Sequence, residues 1–438
     1  MRRRRWTAVI VGLTVAGWIA AAAPPAASQG GSEKPEATEI GVTADEIRIA
    51  IIAEVDNPVV PGIFEGAKDA VEAWGRFMNK HGGLAGRKVA VDFIDSKLSA
   101  DAARDAVIKA CEEDFAIVGT HMLFLNNIAP LVDCTDMAGA ATGLPDLAAF
   151  QTSFDHQCSP VTYTVSGTIM DCATRDQHPQ TYRASVGHTR YLKKKFKLTT
   201  GSWIASNDIK GTLDATLPLT AGEKEVGLKG ENFLISGVAP QASFTPYVQK
   251  LASDGVDYVS NWSACDSLIN TQNEAAAQGV DIKVYTSTTA CYDKDFLKSE
   301  TSEGTYVWLP YLPIEDAAVS KPVKTMVTAI GKDKIDGFGI LAWQSALLFQ
   351  AGVNAVVESK GVNGLTRANL LDAFGTMTSF NADGMRGEFN PSEKSGSGCF
   401  VLMKVTGGKF VREFPKQKGK LECKANNYLN VEYDNEES

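Results

Sequence analysis

Between Glu46 and Asp95 the chain spells a strand, a helix and a second strand with almost no spare residues. Ile47-Arg48-Ile49-Ala50-Ile51-Ile52 is a short apolar run with the β-branched bias of a buried parallel strand. Ala67, Val71, Trp74 and Met78 then recur at helical spacing and make an apolar face able to cover a sheet. Gly82-Gly83 ends that helix where positive φ is wanted, and Val89 to Ile94 is the next strand. This is a βαβ unit with its crossover helix, the seed of a doubly wound parallel sheet.

A chain of 438 residues is long for one such sheet and suits two α/β lobes. A hydrophobic content of 44% with 22% charged residues is that of a folded globular protein. The formal net charge of -9 argues against nucleic acid as a partner, because phosphate binding needs a basic surface. Arg2 to Arg5, the apolar run Val9 to Ala23 and the small residues from Ala22 to Ser28 read as an export leader, whether cleaved or kept as an anchor. Its arginine run lacks the rest of a twin-arginine pattern. No Cys precedes Cys111, so a lipid-anchored form is not expected, and no later stretch is expected to span a bilayer. The eight cysteines fall as neighbours, Cys111/Cys134, Cys158/Cys172, Cys265/Cys291 and Cys399/Cys423, without a CxxC. In an exported chain an even count implies disulfides, with nearest-neighbour pairing expected and buried free thiols the alternative.

Strand-like and helix-like stretches alternate along the rest of the chain. Phe115 to Gly119 is a strand, Ile128 to Val132 a helix, and Ala138 to Thr142 leads into a turn at Gly143 and Pro145. Residues 153–183 break the rhythm. A second βα series begins with a basic helix, Tyr191 to Phe196. Its strands are Ser202 to Ser206, Phe233 to Ser236, Val256 to Asn261 and Ile282 to Ser287.

The wording around Asn79-Lys80-His81-Gly82-Gly83-Leu84-Ala85-Gly86-Arg87 resembles the Leu/Ile/Val-binding type of periplasmic substrate-binding protein, the type I fold of ABC importers. Thr245-Pro246-Tyr247-Val248 and Gly255-Val256-Asp257-Tyr258-Val259 are similar to that family's second lobe. Gly304-Thr305-Tyr306-Val307 with Pro310 and Pro313 resembles its strand returning to the first lobe. Phe338 to Val357 fits its long helix there, and Gly384 to Phe389, Phe400 to Val405 and Phe410 to Val411 its closing hairpin. The resemblance implies two Rossmann-like lobes joined by a multi-strand hinge. The expected division is a leader peptide over 1–28, a flexible leader over 29–45, a first N-lobe segment over 46–183 and the C-lobe over 184–305. An N-lobe return over 306–380 and a closing C-lobe hairpin and tail over 381–438 complete it. It also implies an exported monomer that binds a small molecule and meets importer membrane subunits, with no catalytic residue, metal or cofactor. A signalling receptor component is the first alternative and an exported enzyme the second.

No GxSxG, HExxH or Walker loop occurs, and no two of the five histidines stand four residues apart. Gly337-x-Gly339-x-x-Ala342 matches a dinucleotide-loop pattern but follows Lys332-Asp333-Lys334-Ile335-Asp336, so it reads as the start of a helix. Ligands of open α/β sheets sit beyond the carboxyl ends of the strands. That places Asp56, Asn57, His121, Met122 and Thr142 in the first lobe's half of a cleft, and Asp208, Asn261, Trp262 and Trp308 in the rest. The resemblance implies a carboxylate clamp of a hydroxyl after the third strand and a threonine after the next, matched by Thr142, and an acid in the second lobe for an ammonium. The third-strand segment reads Gly119-Thr120-His121-Met122, and the position of the acid reads Ser287-Thr288-Thr289-Ala290. A buried ammonium without a carboxylate is costly, so a ligand other than a simple α-amino acid is expected, whether aromatic, amide or carboxylate.

Overall fold

The computed structural model describes residues 33–57 and 60–434, so the expected export leader over 1–28 lies outside the described residues. The chain forms β1 (Glu46–Ala53), α1 (Glu65–Lys80), β2 (Lys88–Asp95), α2 (Ala100–Glu113), β3 (Ala116–Met122), α3 (Ala129–Val132), β4 (Asp146–Gln151), α4 (Phe154–Gln157) and β5 (Thr162–Thr164). It continues with β6 (Gln180–Ser185), α5 (Gly187–Phe196), β7 (Thr200–Ser206), α6 (Lys210–Glu225), β8 (Lys229–Ile235), α7 (Thr245–Ser253), β9 (Tyr258–Asn261), α8 (Cys265–Gln278), β10 (Val284–Ser287) and β11 (Tyr306–Leu309). Last come α9 (Lys321–Ile330), α10 (Gly337–Lys360), α11 (Arg367–Thr376), β12 (Cys399–Val405), β13 (Phe410–Phe414), β14 (Glu422–Cys423) and β15 (Tyr428–Tyr433).

The first sheet is parallel, in the order β2-β1-β3-β4-β5. Alternate residues of β1 serve its two faces: Ile49, Ile51 and Ala53 join the core beneath α1 and α10, while Ala50 and Ile52 join the one beneath α2. The second sheet runs β13-β12-β11-β10-β9-β7-β8, parallel from β8 to β11 and antiparallel at β12 and β13. β6 and β15 form a separate antiparallel ribbon against α6, close enough that a Cβ on Gly222 would collide with Ala184.

Asn79 and Arg87 give the diagnostic stretch after α1 a physical cause. Asn79 brackets the start of β2, donating to the Val89 carbonyl and accepting from its N–H, both at 2.8 Å. Gly83 has φ +84°, and a Cβ there would strike the Arg87 carbonyl oxygen. Arg87 is buried and donates to the carbonyls of Thr43, Ala85, Val362 and Glu36. One guanidinium thus ties the chain before β1 to the turn and to the segment after α10. For the same reason the segment expected to be a flexible leader is docked from Lys34 on: Asn363 donates to the Lys34 carbonyl and Thr38 to that of Leu365.

Tyr306 to Leu309, expected to return to the first lobe, instead pairs with β10 through Thr286↔Tyr306 and with β12, so the crossing follows Leu309. α10 is long and apolar enough by composition to cross a membrane, against the expectation that no later stretch is. Its residues are mostly buried in the first lobe's core, which accounts for its apolarity without a bilayer. Asp336 caps it by accepting from the Gly339 N–H at 2.6 Å, so Gly337-x-Gly339 does open a helix. The glycine at 339 also lets α10 lie against the Gly66 carbonyl of α1. All four expected disulfides are formed, Cys111–Cys134, Cys158–Cys172, Cys265–Cys291 and Cys399–Cys423.

Candidate functional site

In the first sheet the winding direction reverses between β1 and β3, and the crevice lies beyond their carboxyl ends. Glu54 follows β1 there, fully buried, with Oε1 accepting from the Leu123 N–H at 2.8 Å and Oε2 without a partner. No cation offsets its burial, which pushes its pKa up to about 7. β4 ends in Gln151, also buried, with neither amide atom partnered. Thr152 donates to the Leu123 carbonyl at 3.3 Å, so Glu54 and Thr152 hold the loops after β1, β3 and β4 into one rim around Leu123.

His121, one residue before the end of β3, sits inside an aromatic cage of Phe64, Phe338 and Phe150, with ring centroids 5.0, 5.6 and 6.0 Å away. Its Nδ1 lies 2.8 Å from the Gly119 carbonyl, which only accepts, so Nδ1 carries the proton. Burial lowers its pKa to about 4, so the ring is neutral, and Nε2 is left as an unpartnered acceptor. At this strand end the ring therefore offers a lone pair, not a proton.

The second sheet reverses between β7 and β9. Asp208 staples the loops after β7 and β8, accepting from the Gly237 N–H at 2.6 Å and the Ser206 hydroxyl at 3.1 Å. Asn261 is buried and turns the chain into α8 through bonds to the Ser263 and Ala264 carbonyls. Trp262 and Trp308, just past β9 and at β11, stand 6.2 Å apart and are half-buried. Trp262 Nε1 has no partner, and one face of Trp308 stacks on His188 at 5.1 Å. Cys265–Cys291 pins the loops after β9 and β10 to each other. The lobes meet where Gly211, in the first turn of α6, lies against Ser153: a Cβ on the glycine would sit 3.5 Å from the serine Cα. The neighbouring Thr212 hydroxyl is another buried, unpartnered atom.

Three expected site residues are absorbed elsewhere. Thr142 precedes β4 and donates to Asp136 at 2.7 Å. It lies at the amino end of the sheet, because β4 is Asp146–Gln151 and not the Ala138–Thr142 stretch; the hydroxyls that follow the true strand are Thr152 and Ser153. Met122 is 1% exposed in the core beneath α2. Asn57 closes a turn with both Val60 backbone groups. Asp56 is exposed at the rim, its N–H held by Asp95. Glu54, Gln151 and Thr152 were missed, although Glu54 is the first acid after the apolar run of β1.

Glu54 has a pH signature. Its folded pKa stands above the unfolded value near 4.5, so the stability of its acid form is full below about pH 4.5 and is lost as pH rises through about 7. His121, depressed to about 4, acts oppositely, losing stability as pH falls from about 6.5. A Glu54→Gln variant, compared with the parent by thermal unfolding, is therefore expected to lose relative stability at pH 5 and regain it at pH 8, a swing of about 1–3 kcal/mol. Parallel profiles would show that Glu54 is ionised throughout.

Two doubly wound lobes, joined by three crossings and carrying polar and aromatic groups at the strand ends of both, define a two-lobed solute-binding architecture. The chain belongs to the periplasmic binding protein family, whose model matches residues 46–409. Its fold is similar to that of a fatty acid ABC transporter substrate-binding protein from Thermomonospora curvata, at 16% identity and TM-score 0.66 over 87% of this chain and 94% of that one. A solute-binding protein of an ABC transporter from R. palustris, in complex with benzoate, matches at 16% identity and TM-score 0.63 over 84% and 95%. A leucine-, isoleucine-, valine-, threonine- and alanine-binding protein from Brucella ovis, in closed conformation, matches at 14% and 0.64 over 89% and 95%. No curated protein matches the chain. The family is one of extracytoplasmic solute-binding proteins, and its role is binding.

Proposed function

We infer that the protein captures a small carboxylic acid or amide with an aromatic or aliphatic body and delivers it to the membrane subunits of an ABC importer. The observation that carries this reading is the Trp262–Trp308 pair, half-buried at the strand ends with Trp262 Nε1 unpartnered. Indole faces hold flat or apolar groups by area burial and stacking, and the free N–H can donate to a ligand oxygen. Glu54 in its acid form and the Gln151 amide suit the same polar head. Thr288, Thr289 and Ala290 offer no acid for an ammonium where the family's amino-acid binders place one. The Thermomonospora relative is described with fatty acid and the R. palustris one with benzoate, both apolar bodies on a carboxylate. A ligand touching both lobes binds the shut form best, and that difference in affinity drives closure. The protein acts as an exported monomer.

Thermal unfolding of the protein with benzoate, a medium-chain fatty acid, an aromatic amide and leucine tests this. A ligand at a hundred times its Kd is expected to add about 2.7 kcal/mol, and Trp262→Ala to abolish the shift while leaving the unliganded midpoint within a few degrees. A shift with leucine alone would overturn the reading and restore the amino-acid clamp.

A further inference from the structure

Arg190, Lys193, Lys194 and Lys197 follow one another at i, i+3, i+4 and i+7, so they share one stripe of α5 and its C-cap. With Leu198 and Val226 they line a shallow hollow of about 440 Å³. Among the described residues none of the four has a carboxylate within 4.0 Å, whereas Lys195, between them in sequence, is paired with Glu413. Arg190 Nη1 is buried and without an acceptor, and Lys193 Nζ lies over Gly227. Lysines in the last helical turn complement the carbonyl end of the helix, but that role does not require four uncompensated cations around a hollow. In a chain of net charge -9 such a cluster is a local reversal of sign.

α5 ends where the chain enters β7, so the stripe lies toward the amino ends of the second sheet, away from the strand ends that carry Trp262 and Asp208. An occupant here would leave the cleft free.

We propose that this face of α5 docks on the phosphate headgroups of an anionic phospholipid surface. Three of the four cations are lysines, compact charges on mobile stems that follow scattered phosphates without the fixed fork that a single bidentate partner needs. Val226, half-buried beside them, gives the hollow a small apolar edge for the glycerol end of a headgroup, while Leu198 beneath it belongs to the core. The remaining surface, acidic in sum, is repelled by the same lipids, so the attraction also orients the molecule.

Co-sedimentation of the protein with phosphatidylcholine vesicles, with and without phosphatidylglycerol, reads the interaction. Binding is expected only to the mixed vesicles, released by salt, and weakened about five-fold for each cation removed in Lys194→Gln and Lys197→Asn. Both sites are exposed, and Asn tolerates the left-handed backbone of Lys197. Lys80→Gln with Lys409→Gln changes net charge equally at exposed sites elsewhere and is expected to bind as the parent does. Equal loss in both pairs of variants, no binding to mixed vesicles at low salt, or a thermal upshift with inorganic phosphate that vesicles do not compete away would overturn the proposal.

Discussion

Reduction of the four disulfides is expected to leave the protein unfolded, or nearly so, near room temperature. Each bridge closes a loop, with sequence separations of 23, 14, 26 and 24. The chain-entropy model assigns about 3–3.5 kcal/mol to loops of this length, so the four together rival the about 5–15 kcal/mol that holds a typical protein folded. Two bridges lie in the first lobe's chain and two in the second's, so neither lobe is spared. The effect is not only entropic at Cys111–Cys134, where the buried Arg367 donates to the carbonyls of Cys111, Asp114 and Thr135. Urea unfolding followed by circular dichroism, with and without a reductant, decides the matter. An unchanged midpoint when thiol titration finds eight free thiols would sink it.

Glu223→Ala is expected to cost about 3–5 kcal/mol, more than most single substitutions. Glu223 is fully buried on α6, and its two oxygens accept from Trp203 Nε1 at 2.6 Å, Tyr258 OH at 3.0 Å and Ser260 Oγ at 3.3 Å, with His188 Nε2 at 3.2 Å. Alanine strands those donors in the core, each at about 1–3 kcal/mol before relaxation. Glu223→Gln keeps one acceptor oxygen and is expected to recover part of the loss. His188 stacks on Trp308, so the alanine variant is also expected to loosen the indole pair. A loss below about 1 kcal/mol in urea would mean that water replaces the carboxylate.

The residues that made the fold legible are those whose pattern is local. β1, α1 and β2 are set by an apolar run, a helical stripe and a glycine turn, and they stand where the spacing puts them. Trp262 and Trp308 stand at or next to strand ends, as expected, because such an end can be read from where the apolar run stops. β4 was missed because it begins with an acid after Gly143 and Pro145. Asp146 is tolerated in the core only because His156, Thr162 and Thr120 bond to it, and no window of sequence shows that. α6 was hidden by Pro218 in its interior, and β6 by a partner about 250 residues downstream, a separation local patterns do not register. Glu54 and Gln151 escaped for a related reason: a polar side chain after a strand reads as solvent-facing until the neighbouring loops are seen to close over it.

The β6–β15 ribbon has a consequence for how the molecule is made. β6 pairs with Tyr428–Tyr433, and the Ala184 and Val431 side chains it brings together cover α6 at Gly222. During synthesis this groove stays open until Tyr428–Tyr433 has emerged, about 250 residues after β6, and the second sheet likewise waits for β12 and β13. Neither lobe can mature ahead of the other as a finished unit. The nascent chain is thereby kept from locking early.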